Sequence, residues 1–129
     1  GGGIGKAIVT QLRKVFGEEI VIIALGTNAL AASLMLKAGA NKGASGENAI
    51  VVNAPKVEII IGTIGIVAAG SMMGELTPLM ARAIAESPAR KILIPLNRYN
   101  IQVAGTKNIP LPHYIDEVIE LIKNYLRGE

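Results

Sequence analysis

"EEIVIIALGTNALAASLMLKAG", residues 18–39, decides how the rest of the chain is read. Its first part, Glu18 to Leu25, is a continuous apolar run of strand length. A run without alternation suits a parallel strand covered on both faces. Gly26 breaks it, Thr27 is placed to cap a helix, and that helix stops at Gly39. Strand, turn and helix in one short stretch form the unit from which parallel α/β sheets are built.

The same unit recurs on either side. Ile4, Ile8, Val9, Leu12, Val15 and Phe16 fall at helical spacing, with Lys6, Gln11, Arg13 and Lys14 opposite, and Gly17 ends the helix. "ANKGASGEN" (residues 40–48) reads as a polar, glycine-rich loop. "ENAIVVNAP" is ambiguous: its Ile-Val-Val suggests a strand, whereas Ser45 as a cap and Pro55 as a stop suggest a short helix, the reading preferred. "VEIIIG" (57–62) and "RKILIPLN" (90–97) are further buried strands. Between them, "TIGIVAAGSMMGEL" is expected to form a turn and a short helix, and Thr77-Pro78 matches an N-cap followed by proline at the first helical position. "NIQVAG" (100–105) reads as a short edge strand. "PHYIDEVIELIKNYLRG" closes the chain as an amphipathic helix with Ile115, Val118, Ile119, Ile122 and Leu126 on one face.

At 129 residues the chain is one domain, residues 1–129, long enough to bury roughly two-thirds of its unfolded surface. Half of its residues are hydrophobic, with one Phe and no Trp, which suits an α/β core of β-branched strands and Ala/Leu helices. The net charge of +3 is spread along the chain, without the basic blocks and interleaved aromatics of a nucleic-acid surface. Zero cysteines exclude disulfides and thiolate chemistry, and the lone His113 excludes a multi-histidine metal site. Residues 20–36 and 59–74 approach the length of a membrane span, but glycines and polar residues interrupt both. No signal peptide is visible, so the expectation is a cytoplasmic protein without membrane or nucleic-acid partners.

The chain opens "GGGIGKA", with no strand before it. In a Rossmann unit a strand leads into a glycine turn and then a helix. The fold class expected is therefore a Rossmann-like three-layer sandwich with a small, mostly parallel sheet and its first strand absent from this chain. Glycine-rich turns at helix starts hold phosphate because the backbone can approach closely and the helix N-terminus offers free N–H groups. Gly1, Gly2, Gly3, Gly5 and Lys6 fit the rear half of three such templates, against the alternative of a loose leader with Lys6 solvated. The dinucleotide and short-chain-dehydrogenase patterns both start before Gly1. The P-loop pattern matches Gly5-Lys6, but Ala7 replaces the Ser/Thr that would hold magnesium, which disfavours Mg-ATP. After the run at 18–25 there is no carboxylate for ribose hydroxyls, only Thr27 and Asn28, so NAD is disfavoured against NADP or a mononucleotide. No Tyr is followed four residues later by Lys, which removes short-chain-dehydrogenase chemistry.

Ligands of open α/β sheets lie at the carboxyl ends of the strands. Polar and glycine residues cluster there: Gly26-Thr27-Asn28, Gly62-Thr63 and Asn97-Arg98. Thr63 joins the binding candidates, and Arg98 offers a guanidinium suited to phosphate or carboxylate. Strand ends carry polar turns in any case. Glu47 and Glu75 are acid/base candidates outside helices, although helix-end electrostatics accounts for Glu75 without catalysis. His113 has no partner and reads as solvated. The four methionines read as core or interface filler.

The order "GGGIGKAI", "ALGTNALAASLMLKAGAN", "GASGENAIVVNA", "IIIGTIGIVAAGSMMGELTP" and "KILIPLN" resembles a family of small uncharacterised bacterial proteins, grouped as a domain of unknown function of Rossmann-like appearance. The resemblance covers nearly the whole chain. Members usually begin with a short strand and an Asp-Gly-Gln step before the three glycines, so it implies a first strand that this chain lacks. It brings no activity and no catalytic residues. The reading is thus a nucleotide- or phosphometabolite-binding protein with no reaction assigned. The alternative is a non-catalytic homo-oligomeric assembly protein whose segment Ile64 to Leu79 forms a dimer interface.

Overall fold

A computed structural model describes residues 2–96, 98 and 100–129. In chain order it contains α1 (Gly2–Phe16), β1 (Ile23–Gly26), α2 (Ala29–Lys37), β2 (Lys42–Ser45), α3 (Glu47–Asn53), β3 (Ile59–Thr63), α4 (Pro78–Glu86), β4 (Arg90–Ile94) and α5 (Leu111–Leu126). Short 3₁₀ turns occupy Gly17–Glu19, Ala54–Lys56 and Ile64–Val67.

The strands pair as two parallel couples. β1 runs beside β2 with Ile23 opposite Lys42 and Gly26 opposite Ser45. β3 runs beside β4 with Ile59 opposite Arg90 and Thr63 opposite Ile94. Strand residues alternate between two faces, and both couples use the same two. One face puts Ile22, Ala24, Ile92 and Ile94 in a core with α1 and α5, where Ile59 and Ile61 join them. The other turns Leu25 and Ile60 towards a second core built by α3 and α4 around Leu76 and Met80. The two couples are therefore halves of one β layer with helices on both sides.

Local chemistry explains most elements. In α5, Tyr114, Ile115, Val118, Ile119 and Ile122 are buried at helical spacing, each such side chain contributing roughly 1.5–3 kcal/mol. α4 starts as its sequence requires: the Thr77 hydroxyl accepts the Met80 N–H at 3.2 Å, and Pro78 takes the first position. β4 stops before Pro95, which has no N–H to donate to a ladder. Arg13 joins the end of α1 to the sheet, donating to the Gly39 carbonyl at 2.8 and 3.0 Å, to that of Gly17 at 2.7 Å and to that of Ile20 at 3.1 Å.

Several local expectations change. Asn28, not Thr27, is the N-cap of α2, and of the run expected at 18–25 only the end lies in β1, which spans Ile23–Gly26 after a 3₁₀ turn at Gly17–Glu19. The loop expected at 40–48 contains β2, whose sequence Lys-Gly-Ala-Ser has little strand propensity. Pairing with β1 makes it a strand. Gly46, not Ser45, is the N-cap of α3, and Glu47 is a helical residue of α3 rather than lying outside helices. The edge strand expected at 100–105 is absent, because Asn100 and Gly105 both have positive φ (59° and 85°) and break an extended path. Finally, Gly2, Gly3 and Gly5 do not form a turn ahead of α1; they lie inside it. A Cβ on Gly5 would meet the Met35 sulfur at 2.5 Å, so glycine there lets α1 and α2 approach closely. Among the described residues no helix is long and apolar enough to cross a membrane.

Candidate functional site

β1 ends at Gly26 and β3 ends at Thr63, and the turns that follow form the rim of the layer at its carboxyl edge. Thr27 is half-buried there and Asn28 is exposed. Asn28 caps α2, its side-chain oxygen accepting the Ala31 N–H at 2.9 Å. This fixes the rotamer and directs its amide outwards. The loop between the Ile64–Val67 turn and α4 brings a carboxylate to meet that amide. The Asn28 amide donates to Glu75 Oε1 at 2.9 Å, and the Thr27 hydroxyl donates to the same oxygen at 2.8 Å. Glu75 Oε2 has no partner among the described residues and the side chain is exposed. Close by in sequence, the Thr77 hydroxyl donates to Glu47 Oε2 at 2.5 Å, tying α4 to α3.

The loop that delivers Glu75 is tightly wound. Gly70 and Gly74 have positive φ, and so do Met72 and Met73 (57° and 56°), a conformation that costs a non-glycine residue roughly 1–3 kcal/mol. Its anchors are the buried Ser71, whose hydroxyl donates to the Gly65 carbonyl at 2.6 Å, and Leu76, which is 1% exposed. Leu76 also accepts the Gly70 N–H at 2.8 Å, closing the loop upon itself.

The Asn28 amide, and after it the Thr27 hydroxyl, hold the Glu75 carboxyl below its ordinary range, because both donate to its charged form. The contribution of the clasp is therefore complete above the ordinary glutamate range and is lost as pH falls through the depressed value. In an NMR titration, Glu75 is expected to protonate below the ordinary glutamate range, and the Asn28 side-chain amide signals should shift at the same point. Asn28 signals that ignore the Glu75 titration would show the clasp to be absent in solution.

Of the residues expected at a binding site, Thr27, Thr63 and Gly5 border one cavity between β1 and β3, with Asn28 at its rim. Gly3 and Lys6 border a different cavity of about 360 Å³, where α1 faces Pro112 and Asp116 of α5. Gly2 is the first residue of α1, and Gly1 lies outside the described residues. Arg98 is exposed and makes backbone hydrogen bonds to Leu96 and Ile101. Asn97 is outside the described residues. His113 is exposed on α5, as its isolation in the sequence suggests.

The sequence reading did not connect Glu75 with Thr27 and Asn28. They are 48 and 47 residues apart, and no local pattern links them. The glycines bracketing Ser71-Met72-Met73 signal a tight loop but not its destination.

A family model described as a domain of unknown function (DUF3842) matches residues 1–127. No curated protein and no solved structure matches the chain.

Proposed function

The chain belongs to the DUF3842 family, and we propose that it is a cytoplasmic, Rossmann-like protein that binds a nucleotide or phosphorylated metabolite at the carboxyl edge of its β layer. The observation that carries this reading is the position of Glu75. A carboxylate at the end of the strand that follows the first helix is where dinucleotide sites receive ribose hydroxyls. Here it comes from a distant loop, with one oxygen clasped by Thr27 and Asn28 and the other open. A fixed acceptor of this kind favours free 2′- and 3′-hydroxyls and repels a 2′-phosphate. It therefore reverses the preference for NADP drawn from the sequence and favours ribose that carries no 2′-phosphate. The phosphate end of the ligand is read onto the first turn of α1, Gly2 and Gly3, whose N–H groups have no partners within the helix, with Gly5 in the same turn. Thr63 lies across the opening, with Arg98 and Lys6 as further cations outside it.

Calorimetry with AMP, ADP, NAD, NADP and their 2′-deoxy or 2′-phosphorylated counterparts tests this. Ribonucleotides with free hydroxyls should bind, the counterparts should bind more weakly, and Glu75→Gln should cost about tenfold in affinity, as expected for one hydrogen bond to a charged group. The fold of the variant should be unchanged, since Glu75 is exposed. If the 2′-deoxy forms bind equally well, or no nucleotide binds at millimolar concentration, the reading fails.

Exposed apolar side chains on the same loop and helix favour a second reading, self-association. Met73 is fully exposed and Leu79 is 55% exposed. Light scattering at several concentrations distinguishes it: a dimer that Met73→Ser and Leu79→Ser together dissociate supports assembly, and a concentration-independent monomer removes it.

A further inference from the structure

The cavity of about 360 Å³ lies in the groove between the N-terminal halves of α1 and α5. On α1, Gly3, Ala7 and Gln11 follow one another on one face of the helix and form the first wall together with Lys6. On α5, Leu111 and Ile115 are likewise one turn apart and form the second wall with Asp116. The groove stays open because the first wall is short of side chain. A Cβ on Gly3 would meet nothing within 4 Å, and Ala7 carries only a methyl group. Farther along the two helices the contact closes, where Leu12, Ile119 and Ile122 are buried in one core. A small apolar concavity with a few placed polar groups has the make-up of a ligand pocket.

The polar groups of the two walls carry opposite charge. Lys6 stands on the α1 side and Asp116 on the α5 side, and neither has an ion-pair or hydrogen-bond partner among the described residues. Elsewhere on the surface neighbouring charges do meet, as Arg82 and Glu86 do at 2.9 Å and Lys123 and Glu120 at 3.6 Å. The Gln11 amide is also without a partner among the described residues, whereas the Thr10 hydroxyl is already bonded to the Lys6 carbonyl at 2.8 Å. A cation and an anion held apart over an apolar floor complement a ligand that carries both charges. An anion alone would meet the repulsion of Asp116, and an amine alone that of Lys6.

We infer that this groove binds an α-amino acid with an apolar side chain. Its carboxylate lies on Lys6, its ammonium on Asp116, and its side chain against Ala7, Leu111 and Ile115, while the Gln11 amide can serve either charged group. The volume, about 360 Å³, is at the lower end for ligand pockets and suits a single amino acid rather than a nucleotide. The inference does not rest on the nucleotide reading, because Glu75, Thr27 and Asn28 do not line this groove.

The test is calorimetry with L-leucine and two relatives that each lack one charge: 4-methylpentanoate, without the ammonium, and 3-methylbutylamine, without the carboxylate. L-leucine should bind at millimolar concentration or below, and each relative roughly tenfold more weakly or worse, as expected for the loss of a hydrogen bond between charged groups. Lys6→Gln and Asp116→Asn should each cost a similar factor. Both side chains are exposed, so circular dichroism of the variants should match that of the parent. In an NMR titration the Ala7 and Ile115 methyl signals should move with L-leucine. Glu75→Gln should leave leucine binding unchanged, so that the groove and the rim site succeed or fail separately. No leucine binding at millimolar concentration overturns the inference, as does equal binding of the one-charge relatives. Inorganic phosphate binding that Lys6→Gln abolishes and Asp116→Asn strengthens, with leucine inert, overturns it too, because the groove then serves an anion alone.

Discussion

Gly26→Ala is expected to destabilise the protein by roughly 3 kcal/mol, the upper part of the range for overpacking. A Cβ at Gly26 would stand 2.7 Å from both the Ala32 nitrogen and the Asn28 carbonyl oxygen. Both are backbone atoms of the α2 start, so no rotamer change relieves the contact. Relief must come from moving α2 away from β1, which also displaces the side chains of Thr27 and Asn28 that hold Glu75. Gly3→Ala is the control, because its Cβ would meet nothing within 4 Å and alanine favours the helix by up to about 1 kcal/mol over glycine. Urea unfolding of the two variants checks the pair. A loss at Gly26 no larger than the change at Gly3 would show that β1 and α2 can separate freely.

Leu76→Ala should cost slightly more, about 3–4 kcal/mol, within the range for truncating a buried leucine. Leu76 is 1% exposed in the core shared by α3 and α4, and it follows Glu75 directly. Its loss leaves a cavity under a loop that already holds Met72 and Met73 at positive φ. The loop is expected to loosen, so the Asn28 side-chain amide should lose the shift imposed by Glu75 even in the folded fraction. Denaturation gives the first quantity and NMR the second. A stable variant with an intact clasp would mean that the backbone bonds of Gly70 and Ser71 hold the loop alone.

Particular residues show how far the sequence reaches. The uninterrupted run to Leu25, the glycine behind it, Thr77-Pro78 and the apolar stripe of α5 each mark an element through neighbours within a few positions. The apolar strands likewise announced a parallel layer with helices on both sides. Ala7 and the missing carboxylate after Leu25 correctly describe the local sequence. The carboxylate that meets Thr27 and Asn28 in space, Glu75, belongs to another loop.

Local order, then, determined by itself where α1, α2, α4 and α5 and the buried strands β1, β3 and β4 would form, because side-chain periodicity and caps act over one or two turns. Tertiary structure alone decided the rest. Lys42–Ser45 became a strand because β1 offered it partners, and the glycines of α1 became helical while α2 packed close to Gly5. Glu75 found Thr27 and Asn28 because the β layer sets two distant turns on the same edge. The facing edges of β1 and β3 arise in the same way: backbone pairing is long-range, and no residue near either strand records which neighbour it will have.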